Sequence, residues 1–128
     1  MTREEILTII EEKNVHFFRL QFVDIFGFMK NIAIPRSQIN KALDGQMMFD
    51  GSSIDGFVRI NESDMYLKPD YDTFMVLPWR VKDGVNAARI ICDVHKSDGS
   101  PFHGCPRVNL KRVLAEGRDH VNIMTAAT

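Results

Sequence analysis

The stretch from Val15 to Val23 constrains the fold most, because Phe18, Leu20 and Phe22 alternate there with Arg19 and Gln21. Successive strand residues point to opposite faces, so this pattern predicts a strand with one face buried. Asp24-Ile25-Phe26-Gly27 supplies a turn. Phe28 to Ile34 reads as a second strand whose Phe28, Ile32 and Ile34 share a face, stopped by Pro35. Ala88, Ile90, Cys92 and Val94 form one face of a further strand. Met65 to Lys68 and Thr73 to Leu77 are shorter candidates, each closed by a proline, and Asp83-Gly84 is a hairpin-type turn signal.

Helical signals are fewer. Thr2-Arg3-Glu4-Glu5 has the form of a capping box, in which hydroxyl and carboxylate satisfy each other's free amides. Ile6, Ile9 and Ile10 follow at helical spacing, and Asn14 suits a left-handed stop. Ser37 is the expected cap of a short helix carrying Ile39, Ala42 and Leu43, closed by Asp44-Gly45. Pro106 suits the first turn of a last helix with the stripe Leu110, Val113 and Leu114. Roughly five strands with two or three helices, and no βαβ alternation, give an α+β domain with a mostly antiparallel or mixed sheet.

The composition bounds what such a domain does. With 128 residues there is room for one ordinary domain, and 45% apolar residues supply a core. The net charge of −1 and the scattered Arg and Lys residues argue against a nucleic-acid footprint, which needs a clustered basic excess. No apolar run approaches the roughly 20 residues that span a bilayer, and charges run through the first segment, so a signal peptide is not expected. Cys92 and Cys105 do not make a disulfide framework, and a reduced, cytoplasmic protein is the expectation.

From Gln46 to Asn61 neither period is sustained, and long loops inside compact domains are usually functional or disordered. Asp50-Gly51-Ser52-Ser53 concentrates a carboxylate, a glycine and two hydroxyls, a group able to hold a cation or a small polar ligand. From Asp50 to Asp72 six acids (Asp50, Asp55, Glu62, Asp64, Asp70, Asp72) stand against Arg59 and Lys68, so the local field favours cations. Conformational demand alone also explains a turn rich in Asp, Gly and Ser. Ser52 and Ser53 lack the Gly-x-Ser-x-Gly setting of a nucleophile. Cys92, His95, His103 and Cys105 invite a zinc site, but Cys92 shares the apolar face of Ile90 and Val94 while His95 points the other way, which favours a core cysteine and surface histidines.

Phe49-Asp50-Gly51-Ser52-Ser53-Ile54, followed by Gly56 and then Asn61-Glu62-Ser63-Asp64-Met65, resembles the signature of the glutamine synthetase amino-terminal domain. Arg19 to Gly27, Lys30-Asn31, Met75 to Trp79, Cys92-Asp93 and Asp98 to Phe102 extend the resemblance, in order and in register, from about Ile6 to Leu114. Phe57-Val58-Arg59-Ile60 is similar to the type I, Bacillus-like branch.

That resemblance implies a β-grasp fold, a sheet of about five strands packed on a helix. It implies a domain over residues 1–104, and over 105–128 the start of a linker helix to a missing catalytic domain, with a family-unlike tail from 117. The implied activity is ATP-dependent formation of glutamine from glutamate and ammonia in a homo-oligomeric ring. The active site then lies between subunits, and ATP and Mg or Mn belong to the large catalytic domain, with no cofactor or metal bound by this chain. Asp50 would bind ammonium and help deprotonate it in the neighbour's site, Ser53 would shape that pocket, and Arg59 would be regulatory or inter-subunit.

Two departures stand out. Gly104-Cys105-Pro106-Arg107 replaces the family's usual Gly-Asp-Pro-Arg, and since Cys caps poorly the last helix is expected to be weaker by about 1 kcal/mol. After Glu116 the likeness ends, and the chain by itself is expected to be inactive. The alternatives are a truncated, non-catalytic subunit-binding module, with Phe26, Phe28 and Met47-Met48 exposed, or a domain of a related glutamate–amine ligase.

Overall fold

The computed structural model describes residues 1–51, 64–79 and 84–119. Its first helix, α1 (Arg3–Glu12), begins where the sequence asks: the Thr2 hydroxyl accepts the Glu5 amide at 3.2 Å. It ends at Asn14, whose φ of 51° is the left-handed conformation Asn tolerates. Ile6 and Ile10 on its inner face are buried.

Strand β1 (Val15–Val23) runs next, and Phe18, Leu20 and Phe22 are all buried, as the alternation predicts. The turn after it is built by Asp24, whose Oδ1 accepts the amides of Phe26 and Phe28 at 2.9 Å each, while Gly27 takes φ 83°. Strand β2 covers Met29–Pro35. Phe28 therefore falls in the turn rather than on the shared face, and it is 64% exposed. A 3-10 turn at Arg36–Gln38 leads into α2 (Ile39–Leu43). Ser37 sits inside that turn and caps nothing, because the helix starts two residues later with Gln38 at the cap and no side-chain bond there.

Strand β3 (Met47–Asp50) occupies the start of the stretch that lacked any period in sequence. Four residues are too few to display an alternation, and tertiary pairing decides the matter. Strand β4 (Asp64–Pro69) follows, then a 3-10 turn at Tyr71–Thr73. Strand β5 shrinks to Met75–Val76, since Thr73 spends its hydroxyl in that turn, donating to the Asp70 carbonyl at 2.7 Å. Strand β6 (Asn86–Lys96) is the longest, and α3 (Pro106–Glu116) follows the loop after it.

Among the described residues the sheet has six strands in the order β2-β1-β6-β4-β3, with β5 also on β6. β1 and β6 run parallel and every other pairing is antiparallel, so the architecture is α+β with a mixed sheet. One face carries the core: Phe18, Leu20 and Phe22 of β1, Ala88, Ile90, Cys92 and Val94 of β6, Met65 and Leu67 of β4, with α1 and α2 packed on them.

Helix α3 departs from a simple amphipathic reading. Its stripe of Leu110, Val113 and Leu114 is half exposed, at 55%, 54% and 50%. Cys105 is its cap residue and makes no side-chain cap bond, as expected, but the thiol is fully buried in the core instead.

Candidate functional site

Asp50 is the last residue of β3, on the outer edge of the sheet. The residue before it is turned the other way, and the Phe49 ring lies 4.8 Å from that of Phe22, tilted by 34°. This contact pins the end of the strand to the core. By strand parity it also commits Asp50 to the opposite face, where it is exposed. Gly51 is buried directly behind it. Across the antiparallel ladder Asp50 is paired with Asp64 of β4, so two carboxylates stand in one register position. Ser53 and Arg59 lie outside the described residues.

The acid-rich segment is less negative than its own residues suggest, because cations reach it from elsewhere. Asp72 accepts the terminal amine of Met1 at 2.5 Å. Asp70 Oδ2 accepts Arg107 Nη2 at 2.7 Å.

The Arg107 contact belongs to a four-residue network that sequence reasoning missed. Arg107 Nη1 donates to Asp93 Oδ1 at 2.8 Å, and Lys111 Nζ donates to Asp93 Oδ2 at 2.7 Å. It ties α3 to β6 and to the end of β4. The Arg107 hydrogen bond holds the Asp70 carboxyl below its usual range, against an opposing contribution from burial. Burial disfavours the charge on Arg107, but its bonds to Asp70 and Asp93 outweigh this and raise its pKa. The signal was present as Arg107 and Lys111 four residues apart on one helix, with Asp93 on the polar parity of β6.

The cysteines are not chemical groups of the site. Burial, reinforced by the charge of Asp93, pushes the Cys92 thiol up to about 12, so it carries no thiolate at neutral pH. His95 spends Nδ1 on the Gly99 carbonyl at 2.9 Å. Among the described residues no group of three or more His, Cys, Asp or Glu could hold a metal. Nor does any helix there have the length and apolarity to cross a membrane.

The family profile described as glutamine synthetase, beta-grasp domain, matches residues 14–97. This chain belongs to the glutamine synthetase β-grasp domain family. A glutamine synthetase of Staphylococcus aureus is 59% identical over 118 residues, which are 92% of this chain and 26% of that protein. One of Staphylococcus epidermidis is 58% identical over the same length. The chain therefore spans about a quarter of these relatives. A solved GmaS–ADP complex superposes with a TM-score of 0.77 at 30% identity, over 89% of this chain and 25% of that one. The cryo-EM structure of Plasmodium falciparum glutamine synthetase gives 0.80 at 24% identity, over 93% and 23%, a likeness of fold. The mixed sheet packed on α1 is thus the β-grasp of a glutamine synthetase amino-terminal domain.

Proposed function

We propose that this domain completes the ammonium site of a glutamate–ammonia ligase, with Asp50 as the residue that binds and helps deprotonate the cation. The observation that carries the proposal is the placement of Asp50: exposed, at the tip of an edge strand, and aimed outward by the Phe49–Phe22 contact. Ammonium is not a nucleophile until it loses a proton, and a carboxylate beside it both attracts the cation and accepts that proton. Asp64 opposite adds a second negative charge to the same edge, which strengthens the attraction.

On this reading residues 1–104 form the β-grasp unit and residues 105–128 the start of a linker, with an unrelated tail from 117. The site is completed by a catalytic domain of an adjacent subunit in a homo-oligomer. That domain supplies the nucleotide, glutamate and Mg or Mn sites, and this chain by itself does not turn over. Ser53 shapes the pocket and Arg59 reaches between subunits. Family membership supports a cytoplasmic location.

The test uses a full-length synthetase carrying this domain. Asp50→Asn should lower glutamine formation about 100-fold, the scale of a lost general base. It should raise the KM for ammonium and leave that for glutamate nearly unchanged. Unchanged ammonium kinetics would sink the assignment. A second reading, a non-catalytic subunit-binding module, draws on the exposed Leu110, Val113 and Leu114. Size-exclusion chromatography of the chain mixed with an intact synthetase tests it, and failure to co-elute counts against it.

A further inference from the structure

A groove of about 660 Å³ runs between the end of α2 and the outer side of β4 and β6. Lys41, Lys68 and Lys96 line it, with Tyr66, Gln46 and Ser97 among them. Tyr66 forms its wall, opposite Met48 on one side and His95 on the other. Among the described residues none of the three lysines is in an ion pair. Two of the nearby acids are held by other cations. Asp44, which also lines the groove, is bound by Arg3. Asp93, the ladder partner of Lys68, is held by Arg107 and Lys111. Asp98 accepts the Ser100 amide at 2.8 Å and its hydroxyl at 2.5 Å but keeps its charge, and it partly balances Lys96.

Three lysines thus line one concavity, and among the described residues neither Lys41 nor Lys68 is in an ion pair, in a chain whose net charge is −1. Like charges gathered this way repel, and an anion between them relieves the repulsion while gaining charge-assisted hydrogen bonds. We infer that the groove binds a small multivalent oxyanion, one carrying two or more phosphate or carboxylate groups. A monovalent ion would leave one of Lys41 and Lys68 unbalanced. The volume falls in the usual range of small-ligand sites, roughly 300–1,000 Å³. The amide of Gln46 and the hydroxyls of Tyr66 and Ser97 are donors for the remaining oxygens. The Asp50 edge demands a cation and the groove an anion, so the two take different ligands.

The isotope-labelled chain, titrated at low ionic strength with pyrophosphate and separately with citrate, tests this by amide shifts. Saturable shifts are expected at Gly45, Tyr66, Ser97 and Gly99, weakening with added salt as exposed charges are screened. The pair Lys68→Glu and Lys96→Glu should weaken binding at least about tenfold, with circular dichroism confirming the fold. The milder pair Lys68→Gln and Lys96→Gln should weaken it less. Saturation with one anion only supports the site and tells phosphate from carboxylate chemistry. Non-saturating shifts spread over every basic residue, or binding indifferent to the charge reversals, would overturn it.

Discussion

Asp50 and Asp64 face each other across the β3–β4 ladder, two carboxylates in one register position. Like charges placed directly opposite on a strand pair oppose the pairing. Replacing Asp64 with Asn should therefore stabilise the chain by about 0.5 kcal/mol in urea unfolding at neutral pH and low salt. Asp50→Asn relieves the same repulsion and should not destabilise the chain, so that its effect on ammonium kinetics reports chemistry. A large loss of stability in either variant would contradict this view of the strand pair.

Phe49 anchors the strand that carries Asp50. Phe49→Ala should cost about 2 kcal/mol, below the full-burial range because the ring is only partly buried. In a full-length synthetase it should raise the KM for ammonium without removing activity, since the carboxylate stays but its aim is loosened. A phenotype as severe as that of Asp50→Asn would mean that Phe49 does more than position.

The Arg107 network should dominate the anchoring of α3. Asp93 is largely buried and Asp70 partly so, and Lys111 still holds Asp93 at 2.7 Å, so Arg107→Ala should cost about 2 kcal/mol. Arg112→Ala, which removes an exposed pair with Glu116 at 3.4 Å, should cost under about 0.5 kcal/mol. Thermal unfolding of the two variants side by side checks the contrast.

Acid should act through Asp70. Its carboxyl titrates below its ordinary 3.8 in the folded chain, so the unfolded chain binds more protons between the two values. The resulting stability is fully present above about pH 3.8 and is lost as pH falls through the lowered folded value. Unfolding free energy should therefore decline below that pH. In Arg107→Ala the decline should be shallower, because the first cause of the shift is gone.

What was legible in the sequence follows from the length over which each pattern had to hold. β1 has nine residues and its bounds agree with the alternation residue for residue; the face of β6 was equally plain. The cap at Thr2 and the stop at Asn14 are local chemistry and read well. β3 has four residues, and its strand state comes from pairing with β4, which no local pattern announces. The stripe on α3 was visible, but not that it would stay half exposed. That helix is held by charges on its first turns and by Cys105 in the core. Asp50 itself was singled out by motif. Its outward aim depends on Phe22, 27 positions before Phe49 in the chain, and on a parity that only the folded sheet fixes.

The parallel pairing of β1 with β6 sets an order of events during synthesis. Leu20 lies beside Ile90, 70 positions further along, and together these two strands form the middle of the sheet. Contacts so distant in sequence close slowly, because the intervening chain must first give up its freedom. The first half of the chain thus leaves the ribosome with α1, α2 and β2 available to β1 but with the β6 edge of that strand unpaired. Its core is complete only when residues up to Val94 and beyond have emerged. Until then that strand is a template for any passing edge, and a nascent chain stalled before β6 is the form most exposed to aggregation.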